Sequence, residues 1–342
     1  MESALSAFGI NKDAVAEQIT SGLINQTWKI TDGSRQFILQ RINQHVFQTP
    51  SDIHFNIKQI SRYLLIKYPD YNLSAPLTSL FGHDLITCKD GCYRVFQFVQ
   101  GSHTINSVGT AEQAYQAASQ FGKFTYLLSG FDTGKLKITI PDFHNLSLRY
   151  KQFSDIIKTG NGERIKEAKP QIDSLIKEND IVVKYNAFKS DSTFKLRVIH
   201  HDAKISNVLF DDKNNGIGVI DLDTVMPGYF ISDFGDMMRT YLSPVNEEEN
   251  DTGKIEVRED FYKAIVQGYS EYMEQLLTEK EQQQLFYAGK FMIYMQALRF
   301  LTDYLGDDVY YGSKYEGQNL RRANNQIVLL NRLMEKEEKL NG

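Results

Sequence analysis

Hydrophobic and polar positions alternate in short runs through the first hundred residues. Thr27–Asp32 (TWKITD) and Gln36–Ile42 (QFILQRI) read as two strands joined at Asp32-Gly33, a hairpin turn signal. From Ser51 to Lys67 the period lengthens, and Ile53, Ile57, Ile60 and Leu64 recur at helical spacing. Asp84–Gly101 (DLITCKDGCYRVFQFVQG) predicts two more strands about a second Asp-Gly. Strand, strand, helix, strand, strand makes a small α+β lobe over residues 1–101.

Beyond Gly101 the pattern is mostly helical. An Ala-rich periodicity runs from Ala111 to Leu128, and a charged helical region from 145 to 190 is broken at Thr159–Glu163 (TGNGE). A hairpin of short strands follows. Residues 258–340 are again helical, and their charged last turns are expected to fray into solvent. Asn246–Asp251 (NEEEND) reads as a solvated acidic turn. The whole is α+β, with residues 102–342 as the larger, helical part.

Composition narrows the function. The chain has 342 residues, 24% charged and 42% hydrophobic, ordinary globular values. A net charge of −5 without a basic stripe argues against a nucleic-acid partner. No run of 18 apolar residues exists and MESALSAFGINKD lacks a basic start, so neither membrane span nor signal peptide is expected and the chain reads as cytoplasmic. Cys88 and Cys92 flank a short turn and make only half of a zinc site, so two thiols on a hairpin are expected.

The chemistry concentrates in Val198–Asp223 (VIHHDAKISNVLFDDKNNGIGVIDLD). Asp202 stands five residues before Asn207, the spacing of the catalytic base and the metal-binding asparagine in the protein-kinase loop H-R-D-x-x-x-x-N. Val208–Phe210 and Ile217–Ile220 are strands about a turn rich in Asp, Asn and Gly. Pairing Val208 with Ile220 sets Asn207 opposite Asp221, roughly 5 Å apart between Cα atoms. An amide and a carboxylate oxygen together suit Mg2+ shared with phosphates. Asp202 beside them as base completes a phosphoryl-transfer site using ATP.

A second segment, Ile231–Arg239 (ISDFGDMMR), spells D-F-G, the magnesium motif of protein kinases. Asp233, however, lies 12 residues beyond Asp221 with no strand before it. It reads instead as part of a helix start, with Ser232 or Asp233 as cap and Asp236 in the first turn. Near the C-terminus, Met295–Tyr311 (MQALRFLTDYLGDDVYY) places Arg299 and Asp303 four apart on one helix face, followed by Tyr304, Tyr310 and Tyr311. Two readings stand: a sugar site of polar groups and flat rings, or a surface ion pair beside core tyrosines.

With these motifs the chain resembles the aminoglycoside phosphotransferase and choline kinase group. Its segments GLINQTWKITDG, FILQRIN, HDAKISNVLF, VIDLDTVMPG, DFGDMMR and RFLTDYLGDDVYY are most similar to N-acetylhexosamine 1-kinases. The resemblance implies a bilobal protein-kinase-like fold with a small β-rich N-lobe and a large helical C-lobe. It implies Asp202 as catalytic base, Asn207 and Asp221 as Mg2+ ligands, and Asp233 as a structural brace under the catalytic loop. Asp223 either joins the metal site or holds the loop. Nucleotide binding falls to Gly22, Asn25 and Thr27 in the phosphate-covering loop, to Arg41 on the third strand (with Gln40 leaving the register open by one), and to Phe98 and Val99 at the hinge. No Glu in the 51–67 helix stands out as a partner for Arg41. Arg299, Asp303, Tyr304 and Tyr310 are then the substrate residues. The implied activity is ATP- and Mg2+-dependent phosphorylation of a small molecule, an N-acetylhexosamine at its anomeric hydroxyl. Homoserine, choline, methylthioribose and aminoglycosides are alternative acceptors. A protein kinase is disfavoured by the missing A-P-E and G-x-G-x-x-G motifs, and a pseudokinase scaffold by the presence of Asp202, Asn207 and Asp221 together.

Overall fold

The computed structural model describes residues 1–20, 24–71 and 73–341. The chain forms two units. The first comprises Met1–Asn106, Leu127–Pro141 and Ser206–Pro227; the second comprises Ser107–Tyr126, Asp142–Ile205 and Gly228–Gly342.

The first unit is built on an antiparallel sheet of β1 (Val15–Ile19), β2 (Gln26–Asp32), β3 (Arg35–Ile42), β4 (Ile86–Cys88) and β5 (Gly91–Gln97), in the order β1-β2-β3-β5-β4. The two Asp-Gly turns are the β2–β3 and β4–β5 links, with Gly33 at φ +62° and Gly91 at φ +144°, backbone that a Cβ would strain. Cys88 and Cys92 are free thiols on the second hairpin. Alternation along the strands sends Ile30, Phe37, Leu39, Tyr93 and Val95 to one face. There they pack on Ala4 and Leu5 of the short helix α1 (Glu2–Ala7) and on Ile10. β1 was not expected. All five of its residues are exposed, so this edge strand has no buried face to leave an alternating pattern.

Helix α2 (Pro50–Lys67) buries the predicted stripe of Ile53, Ile57, Ile60 and Leu64. Its fully buried Asn56 donates to the carbonyls of Lys137 (2.8 Å) and Val225 (3.0 Å) and accepts from the Lys137 N–H (2.8 Å). One amide thereby ties the helix to both later segments of the unit. The hairpin of Val208–Phe210 and Gly216–Val219 belongs to this unit. Its register differs by one residue from the expected pairing: Val208 lies opposite Val219, with an irregularity at Leu209/Phe210. The turn chemistry accounts for the shift. Asp211 Oδ1 accepts from the N–H groups of Lys213 and Asn215, and Asn214 takes φ +62°. Ile220 N–H donates to Asn207 O (2.9 Å), so Asp221 stands one step past the ladder. The outer edge of the hairpin is closed by reciprocal 2.9 Å hydrogen bonds between His103 and Phe210.

The second unit is helical: α3 (Ala111–Leu127), α4 (Leu146–Thr159), α5 (Gly162–Glu167), α6 (Lys169–Lys177), α7 (Asp180–Ser190), α8 (Ile231–Tyr241), α9 (Glu259–Met273), α10 (Glu279–Gln282), α11 (Leu285–Leu305), α12 (Gln318–Glu335) and α13 (Glu337–Leu340). Helix α11 is apolar nearly all round and buried on every side, as a central helix must be. Helix α8 crosses it closely: a Cβ on Gly235 would overlap the Ala288 carbonyl and sit 2.8 Å from Met292 Cβ. The glycine of the D-F-G string is thus a packing requirement. The strand Arg197–Ile199 is anchored by a buried bidentate pair, Arg197 to Glu281 at 2.7 and 2.8 Å. The charged C-terminal turns have no buried residue in α13, and their contacts are ion pairs of Lys336 and Lys339 with Glu259 and of Lys290 with Glu337. No helix among the described residues is long and apolar enough to cross a membrane.

Candidate active site

In the first unit, Asn207 and Asp221 lie at the same end of the hairpin, joined through the Ile220 N–H to Asn207 O bond. Asn207 is 4% exposed and Asp221 partly exposed. Asp221 adopts φ +61°, ψ +60°, a left-handed conformation uncommon outside glycine. It turns the chain off the ladder just where a carboxylate would have to leave the sheet. Two oxygen donors of this kind fit a Mg2+ ion that completes its shell with phosphates and water. Among the described residues no group of three or more His, Cys, Asp or Glu is arranged to hold a metal ion.

Asp223 is placed differently. Only 2% exposed, it forms a 2.5 Å ion pair with Arg94, which is 1% exposed, and its other oxygen accepts from Asn25 Nδ2 at 2.7 Å. Asn25 Oδ1 in turn accepts from the Asn43 N–H (3.0 Å). Arg94 Nε and Nη2 donate to Gln40 Oε1 at 3.0 and 2.8 Å, and its Nη1 is buried without a hydrogen-bond partner. A network from Gln40 through Arg94 and Asp223 to Asn25 thus fastens the segment before β2 to the Asp221 turn.

Arg41 takes no part in this network. It is opposite Tyr93 across the ladder, stacks its side chain over Gly91, and donates to Gln26 Oε1 at 3.2 Å. Strand alternation decides the matter: Gln40 faces Arg94 and Asp223, so its neighbour Arg41 faces away. Thr27 lies opposite Gln40, 3.4 Å from its Nε2. Phe98 N–H donates to Gln36 O (3.1 Å), and Val99 O accepts from the Ser102 hydroxyl (2.6 Å). Gly22 lies outside the described residues. Arg94 was missed in the sequence; its signal is a lone charge inside the buried run of β5.

In the second unit, helix α8 grips the Asp202 loop from both sides. Asp233, fully buried, accepts from the N–H groups of His200 (2.8 Å) and His201 (2.6 Å), and Tyr241 OH donates to Ala203 O (2.7 Å). Asp233 therefore does not cap its own helix, nor does Ser232: α8 begins after Phe230 with no side-chain cap. Burial raises the Asp233 carboxyl to about 6, while His200 and the two N–H groups oppose the shift. His201 has φ +64°, a strained turn immediately before Asp202. Asp202 pairs with Lys204 at 2.8 Å. Burial also raises Asp236, against the pull of Arg239 at 3.0 Å, and Asp202 adds to the rise. In the acidic segment Asn246, Glu248, Asn250 and Asp251 are exposed, as a solvated turn requires, while Glu247 turns inward to pair with both Arg239 (3.0 Å) and Arg322.

The late residues separate into two sets. Arg299 is half-buried beside Phe143, Tyr310 and Tyr311, and its Nη2 donates to Tyr310 OH at 3.3 Å. Asp303 does not pair with it. Its oxygens accept from the Tyr310 and Tyr311 N–H groups (2.7 and 2.9 Å) and from Asn319 (3.1 Å), so it braces the loop that carries Tyr310. Tyr304 is 3% exposed and donates to Glu167 at 2.6 Å.

Residues 15–277 match the phosphotransferase enzyme family. The chain belongs to that family. Solved structures similar to this phosphotransferase include a microcompartment-associated aminopropanol kinase (16% identical, covering 100% of this chain and 97% of that one, TM-score 0.67). Others are spectinomycin phosphotransferase APH(9)-Ia in complex with ADP and spectinomycin (13%, 98% and 97%, 0.63) and a choline/ethanolamine kinase family protein from Mesorhizobium loti (13%, 95% and 90%, 0.61). At these identities the likeness is one of fold: a small antiparallel sheet and a large helical part, of the protein-kinase-like type.

Proposed function

We propose that this phosphotransferase is an ATP- and Mg2+-dependent small-molecule kinase that phosphorylates the anomeric hydroxyl of an N-acetylhexosamine, giving the 1-phosphate. The observation that carries the kinase reading is the pair of oxygen donors, Asn207 and Asp221, at one end of the hairpin, with Asp202 five residues upstream in the chain. Asp202 accepts the proton of the attacking hydroxyl, whose oxygen bonds to the γ-phosphorus as the bond to ADP breaks. Asp233 and Tyr241 hold the backbone on either side of that base. Asn207 and Asp221 would hold Mg2+, which would supply charge neutralisation for the transfer. Asp223 and Arg94 position the turn and, through Asn25, the segment expected to cover the phosphates. The complex of APH(9)-Ia with ADP supports nucleotide use in this fold.

The sugar assignment rests on the resemblance of the flanking segments to N-acetylhexosamine 1-kinases, and Arg299 with Tyr310 is the substrate pair that the hydrogen bonds leave best suited to it. The test is an ATP-consumption screen over N-acetylglucosamine, N-acetylgalactosamine, their parent hexoses, homoserine, choline and an aminoglycoside. Turnover confined to the N-acetylhexosamines supports the reading. Turnover only with a non-sugar overturns the acceptor, and no Mg2+-dependent nucleotide binding at all overturns the kinase.

A further inference from the structure

Arg149, Arg299 and Arg322 approach the aromatic group of Phe143, Tyr310 and Tyr311, and Arg239 acts on the neighbouring His144; the four differ in one respect. Arg239 is paired with Asp236 and Glu247, and Arg322 with Glu247. Arg149 and Arg299 have no carboxylate within 4 Å among the described residues. Their donors go to neutral groups: Arg149 to Gln152 (3.0 Å) and to the carbonyls of Asp142 and Phe143, Arg299 to Gln296 (3.2 Å) and Tyr310. Arg149 Nε is buried with no partner. The two guanidiniums sense one another, since burial and then Arg299 lower the Arg149 pKa. Neither guanidinium is in ion-pair contact with a carboxylate on this partly exposed surface, and Asp142 acts on Arg149 only at longer range and less than Arg299 does.

That surface adjoins the catalytic loop. Phe143 stacks on His144 at 4.4 Å, and His144 lies 5.3 Å from the ring of His201, the residue before Asp202. The Arg299 guanidinium lies 5.4–5.7 Å from the centroids of Phe143, Tyr310 and Tyr311. Tyr310 is 68% exposed, yet its backbone is fixed by Asp303. Planar rings and unpaired guanidiniums favour a ligand with a flat or apolar face and electron-rich oxygens. The same charges repel an ammonium group, at a cost that grows in a partly desolvated site.

We propose that Arg149 and Arg299 form a charge filter for the acceptor: they admit molecules presenting an acetamide carbonyl or a carboxylate and reject those carrying an ammonium group. This rests on the kinase reading only for the identity of the acceptor, because binding can be measured without turnover. It separates this protein from kinases of its fold whose names specify aminopropanol, choline or ethanolamine, molecules that carry an ammonium group.

The test is a titration of the intact protein, without nucleotide, by ligand-observed NMR and calorimetry. N-acetylglucosamine, glucuronate, glucosamine and choline are compared on the wild type and on Arg149→Met, Arg149→Lys and Arg299→Met. The acetamide, the carboxylate or both should bind at least tenfold tighter than glucosamine or choline. Arg149→Met should erase that preference and Arg149→Lys retain part of it, with unchanged circular dichroism. Equal or tighter binding of glucosamine or choline overturns the filter, as do failure of both oxygen-bearing ligands to bind and an unchanged preference in both Met variants. If the preference holds while no acceptor supports ATP consumption, the filter stands and the kinase reading fails.

Discussion

Arg94 and Asp223 form a 2.5 Å ion pair whose side chains are 2% and 3% exposed. A buried pair of this kind adds little net stability over an apolar replacement, but breaking it leaves a lone charge in the interior. Arg94→Met should therefore cost about 3–5 kcal/mol in urea unfolding. The double variant Arg94→Met/Asp223→Leu should recover most of that loss. A single-variant cost below about 1 kcal/mol would show that the pair is not desolvated in solution.

Asp202→Asn should lower kcat by roughly 10²–10⁴-fold, the usual worth of a general base, while the dissociation constant for Mg-ATP changes little. Stopped-time product assays and nucleotide titration separate the two. Retention of activity within about tenfold would assign the base elsewhere.

Asp221 and Asp233 should part company. Asp221→Ala is expected to abolish the Mg2+-dependence of nucleotide binding with a modest change in melting temperature. Asp233→Ala leaves the N–H groups of His200 and His201 buried and unpaired, so stability should fall by about 1–3 kcal/mol for each while any remaining folded protein still binds Mg-ATP. The reverse pattern would return the metal to the D-F-G aspartate.

The pH dependence of stability carries a signature of His144. Burial, with His201, Arg299, Arg239 and Arg149 about it, holds its pKa well below the usual value. The unfolded chain takes up a proton below about pH 6.5 and the folded chain does not, so this contribution is lost as pH falls, at up to about 1.4 kcal/mol per unit. Asp233, raised to about 6, works oppositely: its protonated form is favoured by folding, and that contribution is lost as pH rises through about 6. Comparing wild type with His144→Gln between pH 7.5 and 5.5 isolates the histidine. The variant should lose less stability on acidification, and parallel curves would contradict the assignment.

What could be read from the sequence follows from where patterns have physical cause. The α2 stripe and the Asp-Gly hairpins were legible because burial and positive φ constrain residue type directly. The hairpin register was not, since the turn held by Asp211 and the irregularity at Leu209/Phe210 together set Val208 opposite Val219 and leave no mark in the apolar pattern. Asp233 could be separated from the metal ligands by its lack of a preceding strand, but its grip on two backbone N–H groups across 33 residues is a tertiary fact. Asp303 shows the limit most clearly: an i,i+4 spacing to Arg299 suggested a pair, and the loop that follows claimed the carboxylate instead.

The most direct measurement of the central claim is 31P NMR of the product formed from N-acetylglucosamine, ATP and Mg2+. The account predicts a sugar phosphate whose phosphorus couples to the anomeric proton, formed by the wild type and absent with Asp202→Asn. A phosphate on any other hydroxyl, or the same product from the Asp202→Asn protein at a comparable rate, would contradict it.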